Sequence, residues 1–279
     1  VAHHDDEVSP PSPLVATHAA IPNLTYPQLE ISQWLEIAPY LLPHNHPVYP
    51  KLNDLFLRER FIASKDTLKA AGFTVRGPGS GQTLVARHTK LSHVLIKLFT
   101  DDQPIDELHE LMNRIKGAQV ARRVIADFHL EWLFNVPRKW LYIIPENPSS
   151  SGPYPKRFVL VVEDMEILPR EENYAKWLSS SITMEKLDGI YIFLTKGGFN
   201  DLPLAFNIPF GSDGKLAVVD TEDYHKWPIP YDRLNKYLSP KMQEYWNQLI
   251  QQGGPPGFTA SIPMKRFPFP PMRAEGPSF

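Results

Sequence analysis

The chain has 279 residues, of which 42% are hydrophobic and 22% charged, a composition that supports a packed core and excludes wholesale disorder. Its 29 basic and 31 acidic residues nearly cancel, which excludes nucleic-acid binding through a bulk positive field. Cysteine is absent, which excludes disulfides, thiolate metal sites and a cysteine nucleophile. At ~100–200 residues per domain, the length allows one large domain or two modest ones.

The two ends of the chain are rich in proline. Residues 1–25 hold four prolines, three histidines and an acidic run without an apolar period, which predicts a disordered arm. Residues 254–279 hold seven prolines with scattered Phe and Arg. That pattern predicts either a plain disordered tail or an extended segment that docks into the aromatic groove of a protein partner. No apolar run approaches the ~20 residues of a membrane span, and localisation stays open between cytoplasmic and secreted.

The first part of the predicted core, residues 26–162, is expected to be a small sheet with one long helix. Gly72 is expected to end a helical lead-in, and a glycine-rich turn joins the first two strands. Asp101 or Asp102 is expected to cap the long helix at its N-terminus. The predicted elements are a helical lead-in at 48–71, strands at 73–75, 84–86, 94–99, 140–144 and 157–162, and an amphipathic helix at 105–128.

The second part of the core, residues 163–253, is predicted to be mostly helical. An Asp-Gly turn divides two short strands in its middle, and the second of these strands leaves Asp220 at its end. The predicted segments are an acidic connector at 163–168, helices over 171–197, strands at 207–210 and 216–220 around a turn at 212–215, and a helical region at 231–250.

The order of these parts resembles the protein-kinase-like fold. A glycine-rich hairpin and a lysine-bearing strand precede a long helix, and a mostly helical half carries Asn207 and, thirteen positions later, Asp220. Kinases place a Mg²⁺-binding Asn and a second metal-binding Asp at a closely similar separation. The resemblance covers roughly residues 70–225 by element order. It implies a two-lobed α+β fold, with a small β-rich N-terminal lobe and a mostly helical C-terminal lobe around one cleft.

Lys97 is the expected phosphate-binding lysine. The stretch Val94–Lys97 is similar to the kinase strand whose lysine neutralises phosphate oxygens of ATP. The alternative is an outward-facing lysine on a half-exposed strand. Glu110 or Glu107, on the helix that follows, is the expected ion-pair partner of Lys97, although simple solvation of the helix surface also accounts for these acids.

Three glycines, Gly77, Gly79 and Gly81, are expected to contact the nucleotide. A glycine-rich turn between strands lets backbone N–H groups approach phosphate oxygens. The kinase pattern is G-x-G-x-x-G, whereas this chain has G-P-G-S-G, in which Pro78 removes one donor. A structural hairpin that binds no ligand remains the alternative.

Asn207 and Asp220 are the expected Mg²⁺ ligands. A carboxylate that ends a buried apolar strand is costly unless it meets a cation or N–H groups. Thr221 and Glu222 follow Asp220 where kinases usually have Phe-Gly, a replacement that small-molecule kinases of this fold tolerate. The alternatives are an Asx turn at Asp220 and an ordinary loop asparagine at position 207.

Asp201 is the candidate catalytic base. Kinases place the Asp of His-Arg-Asp five positions before the Asn, whereas Asp201 lies six positions before Asn207 and follows no His-Arg pair. Either a one-residue bulge restores Asp201 as the base, or the base is missing. The first possibility predicts phosphoryl transfer from ATP to an unknown acceptor. The second predicts a pseudokinase that acts as an interaction module, and an unrelated α+β binding domain is a third reading.

Four short stretches also resemble an uncharacterised family of Chlamydia-related proteins. They are residues 136–140, 207–210, 219–222 and 237–240. This second resemblance implies no assigned reaction.

Overall fold

The computed structural model describes residues 29–79 and 81–258, and it confirms the prediction of a mixed α+β fold. The described residues divide into two compact units. The first contains 29–112 and 138–163, and the second contains 113–137 and 164–258. The predicted arm at 1–25, and the predicted tail beyond residue 258, lie outside the described residues.

The helices and strands of the described chain follow in sequence order. The α-helices are α1 (Ile31–Ile37), α2 (Tyr49–Arg58), α3 (Lys65–Ala70), α4 (Glu107–Asp127), α5 (Arg170–Leu178), α6 (Met184–Gly197) and α7 (Pro240–Gln252). The strands are β1 (Thr74–Arg76), β2 (Leu84–Arg87), β3 (Val94–Leu98), β4 (Phe134–Asn135), β5 (Lys139–Ile143), β6 (Phe158–Glu163) and β7 (Leu216–Ala217). Short 3₁₀ helices occupy Ala38–Tyr40 and Tyr231–Tyr237. None of these described helices is long and apolar enough to cross a membrane.

A five-stranded antiparallel sheet forms the frame of the first unit. Its strand order is β1-β2-β3-β6-β5. The inner strands β3 and β6 are apolar along almost their whole length and are buried, as expected for strands that are covered on both faces. One face of the sheet packs against the buried side chains Leu52 and Phe56 of α2, which share a face because they are four residues apart.

The predicted lead-in at 48–71 is helical in two separate pieces, because the chain leaves the helical path between α2 and α3. Ser64 ends this break as the N-cap of α3, since its hydroxyl accepts a hydrogen bond from the backbone N–H of Thr67 at 3.1 Å. Gly72, predicted to end the helix, follows α3 with φ of +95°. The break places Arg60 beside residues of a later turn.

The predicted cap on the long helix is wrong. Helix α4 begins at Glu107, several residues after Asp101 and Asp102. Asp101 is fully buried and accepts hydrogen bonds from Nε and Nη2 of Arg60, both at 2.9 Å. Its carboxylate also accepts from the backbone N–H of Lys156 and the hydroxyl of Ser150, both at 2.8 Å. Asp101 therefore connects three loops of the first unit.

The core of the second unit is built from α5, α6 and α7 around buried aromatic side chains such as Trp177 and Trp246. The two-residue strands β4 and β7 pair in parallel. The predicted turn before β7 is present, with Gly214 at φ of +83°. The predicted strand over 216–220 is shorter than expected, because pairing ends at Ala217. Asp220 consequently lies in a loop.

Candidate functional site

Lys97 lies in the interior of the first unit's sheet. It is 7% exposed and is paired with Val85 of β2 and Leu160 of β6. All five residues of β3 are buried, so the strand is not half-exposed. Ile96 and Leu98 belong to the hydrophobic core on one face, and the alternation of side chains places Lys97 on the other face.

Lys139 is a second buried lysine, which the sequence reasoning missed. It begins β5 and is fully buried. Lys139 is paired with Val162, which is also paired with Leu95, so Lys139 and Lys97 face the same side of the sheet. Burying an ammonium group is costly unless polar or acidic groups interact with it. This face of the sheet carries two buried ammonium groups, those of Lys97 and Lys139. The signal was present in the sequence as a lone lysine at the start of an apolar strand.

The three glycines lie in the turn between β1 and β2. Gly77 has φ of +91°, and a Cβ there would lie 2.8 Å from the backbone oxygen of Thr83, so the turn itself requires glycine at this position. A Cβ on Gly79 or Gly81 would meet nothing within 4 Å. The hairpin geometry thus explains Gly77 but gives no packing reason for the other two glycines.

Glu107 and Glu110, the expected partners of Lys97, lie in the first turn of α4. The carboxylate of Glu107 accepts a hydrogen bond from the backbone N–H of Arg157 at 2.8 Å. Burial raises the pKa of Glu107, and that hydrogen bond and Lys156 oppose the shift. Glu107 therefore has a local structural role, whereas Glu110 is half-buried and stays the acidic candidate.

Asp201 and Asn207 lie together in the second unit. Nδ2 of Asn207 donates a hydrogen bond to the backbone oxygen of Asp201 at 2.6 Å. The chain between them turns back on itself, because the backbone N–H of Asn207 donates to the carbonyl of Leu204 at 3.0 Å. This turn brings the amide of Asn207 to the backbone of Asp201, six positions earlier in the chain.

The carboxyl group of Asp201 lies in an acidic environment. Partial burial raises its pKa, and the nearby carboxylates of Asp223 and Asp220 raise it further. Arg233 and Lys226 oppose the shift. A general base works best when its pKa approaches the working pH, and the pKa of Asp201 is shifted in that direction.

The segment that contains Asp220 is fixed against α4. The hydroxyl of Thr221 donates a hydrogen bond to the backbone oxygen of Arg114 at 2.6 Å, and Arg114 forms an ion pair with Glu222 at 3.8 Å. Gly117 allows this close approach, because a Cβ there would lie 1.6 Å from the backbone oxygen of Thr221. Sequence reasoning missed Gly117, since nothing in a helical pattern marks a glycine as a contact point.

Replacing Gly117 by alanine is expected to displace the Asp220 segment. The new methyl group cannot coexist with the Thr221 carbonyl, which is backbone and cannot rotate away. We expect a loss of stability in the range of ~1–3 kcal/mol that overpacking costs, together with weaker binding of any ligand that Asp220 contacts. Urea unfolding measures the first effect and ligand titration the second. Because alanine favours a helix more than glycine does, a loss of stability identifies the steric contact, and an unchanged or higher stability would contradict it.

Asn207 and Asp220 carry side-chain oxygens of the type that Mg²⁺ prefers. Because Nδ2 of Asn207 is the donor to Asp201, its Oδ1 is an acceptor, and no donor in residues 29–79 and 81–258 bonds to that oxygen. Mg²⁺ is commonly held by one or two carboxylates with substrate phosphates and waters. No group of three His, Asp or Glu residues in the described ranges has a metal-binding arrangement.

A scan of protein-family models and a search of curated proteins return no match to this chain.

Proposed function

We propose that this chain is a kinase-like phosphotransferase that moves the γ-phosphoryl group of Mg²⁺-ATP to a hydroxyl acceptor. The observation that carries the proposal is the hydrogen bond from Asn207 to the backbone oxygen of Asp201. It fixes the amide side chain of Asn207 against the backbone of Asp201, the residue proposed as the base. Asp220 acts on the same carboxylate electrostatically, so three residues chosen from sequence spacing belong to one neighbourhood.

Each residue has a defined role in this proposal. Lys97 is proposed to bind the ATP phosphates, as the lysine of the third strand does in kinases. Gly79 and Gly81 let backbone N–H groups approach the same phosphates. Asn207 and Asp220 would hold Mg²⁺, which neutralises phosphate charge when bound. Asp201 orients the acceptor hydroxyl and accepts its proton.

A pseudokinase is the second candidate function. The observation that favours it is Phe199, which is fully buried in the core of the second unit close to the position where a kinase has its His-Arg pair. In this case the chain binds a nucleotide without turnover, and the proline-rich tail at 254–279 recruits a protein partner.

Thermal melting with Mg²⁺-ATP tests the metal role of Asp220. A ligand at 100 times its Kd stabilises a protein by about 2.7 kcal/mol, so the parent chain should melt at a higher temperature. We expect Asp220→Asn to lose this shift. Asp127→Asn should keep it, because the carboxylate of Asp127 is half exposed and its pair with Arg123, at 3.8 Å, is weak.

The outcomes separate the candidates. Equal shifts in the parent and in Asp220→Asn would contradict the metal site. A shift that is lost in Asp220→Asn, without ADP formation across a broad panel of acceptors, would favour the pseudokinase. ADP formation that stops in Asp220→Asn supports the phosphotransferase.

A further inference from the structure

A pocket of about 360 Å³ opens beside Asp201 in the second unit. Its volume lies within the range of sites that hold small molecules. The walls come from the loop after α6 and from the segment that follows Asp220. The lining residues are Asn200, Asp201, Asp223, Lys226, Pro228, Ile229, Pro230 and Arg233.

Backbone hydrogen bonds hold one wall of this pocket in place. The backbone N–H groups of His225 and Lys226 donate to the carbonyl oxygens of Gly197 and Gly198, both at 2.8 Å. The indole of Trp227 donates to the backbone oxygen of Thr195 at 2.8 Å. These bonds tie the wall to the end of α6, so the pocket is formed before any ligand arrives.

The two cationic side chains that line the pocket differ in their ion pairing. Lys226 forms an ion pair with Asp223 at 2.5 Å. Arg233 is exposed, and within the part of the chain that the structure describes its guanidinium makes no hydrogen bond or ion pair. Pro228 and Ile229 add an apolar wall between these charges. The pocket thus combines one carboxylate at Asp201 with one available guanidinium.

We propose that this pocket binds the acceptor, and that the acceptor is a small alcohol carrying an oxyanion group, either a phosphate or a carboxylate. Arg233 binds the oxyanion, since a guanidinium offers two parallel N–H donors that match such groups. The hydroxyl of the same molecule faces Asp201. This inference rests on the proposed phosphoryl transfer and adds to it the chemical class of the substrate.

The transfer step balances with ATP as the only co-reactant. The acceptor oxygen forms a bond to the γ-phosphorus, and the bond from that phosphorus to the β–γ bridging oxygen breaks. ADP leaves with the electron pair. The hydroxyl proton passes to the carboxylate of Asp201 and then to solvent.

Radiolabelled transfer from Mg²⁺-[γ-³²P]ATP tests the acceptor class with the full chain. The probe is a small-molecule cell extract, freed of nucleotides on charcoal and divided by an anion exchanger into retained and unretained fractions. We expect labelled product from the retained fraction. Phosphatase treatment of that fraction beforehand distinguishes a phosphate-bearing acceptor, which is destroyed, from a carboxylate, which survives.

Variants of Arg233 make the test specific. Arg233→Ala should lower the transfer by about 10- to 100-fold, the range that charge-assisted hydrogen bonds support. Arg233→Lys should recover part of the loss, because a lysine restores the positive charge but not the two parallel N–H donors of the guanidinium. Lys236→Ala, which removes an exposed cation outside the pocket on the same 3₁₀ helix, should match the parent.

Two results would overturn this proposal and leave phosphoryl transfer in place: label from the unretained fraction alone, or transfer that Arg233→Ala leaves unchanged. All variants should keep the Mg²⁺-ATP melting shift, because Arg233 is not assigned to the nucleotide. A parent protein that shows no such shift, or that binds ATP without transfer to either fraction, would instead contradict the proposed phosphotransferase itself, which separates the two failures.

Discussion

Replacing Asp201 by asparagine is expected to lower phosphoryl transfer by about 10²–10⁴-fold, the usual contribution of a positioned general base. The amide cannot accept the hydroxyl proton, yet it preserves the size of the side chain. The bond between Asn207 and the backbone oxygen of Asp201 is unaffected, so the melting shift with Mg²⁺-ATP should persist. Initial rates of ADP formation, with Asp127→Asn as control, measure the effect, and an unchanged rate would exclude Asp201 as the base.

The same substitution is expected to stabilise the fold slightly at neutral pH. Because burial and the carboxylates of Asp223 and Asp220 raise the folded-state pKa of Asp201, the folded chain binds this proton more tightly than the unfolded chain. Stability from this group is therefore greatest below its ordinary pKa of 3.8 and falls as the pH rises through the raised value. Asp201→Asn removes the penalty, so its melting temperature should exceed that of the parent at pH 7 and converge with it in acid. A constant difference across pH would contradict the electrostatic cause.

Replacing Asp101 by asparagine is expected to lower the free energy of unfolding strongly, because it leaves Arg60 buried without its counter-ion. Breaking a buried ion pair from one side costs ~3–5 kcal/mol. Arg60 is only 10% exposed and Asp101 is fully buried, and two guanidinium nitrogens bond to the carboxylate at 2.9 Å. We expect a loss of that size for the first unit in urea unfolding followed by tryptophan fluorescence.

Asp54→Asn is the matched control, because Asp54 is an exposed residue of α2 in the same unit and its loss should cost little. A double-mutant cycle with Arg60→Gln should give a coupling energy well above the uncertainty of the measurement. Independent, additive effects of the two substitutions would show that the pair does not stabilise the fold.

The strands and the long helix were predictable, because local apolar patterns specify them. The run Phe158–Val162 predicts a buried strand, and it forms the inner strand β6. The role of Asp101 was not predictable, because Arg60 is 41 residues away in sequence and no local rule connects them. A short-range rule therefore favoured a helix cap where a long-range ion pair forms.

For the candidate site, spacing along the sequence could select individual residues but not the contacts between them. Asn207 and Asp220 were selected from their separation, and Asp201 was selected despite its shifted position, and all three stay predictions. The hydrogen bond between Asn207 and Asp201 depends on a turn that spacing does not reveal. Arg233 and Gly117 belong to no motif. The pocket that Arg233 lines, and the contact that Gly117 makes, involve segments that only folding brings near them.

The position of β6 between β3 and β5 has a consequence for how the protein is made. β6 joins these two strands, and it ends at Glu163. The ribosome must therefore synthesise residues 113–137, which belong to the other unit, before the sheet can be completed. Until then the apolar edge of β3 lacks its neighbour, and an unpaired edge of this kind is open to aggregation. The nascent chain is thus most vulnerable just before β6 emerges.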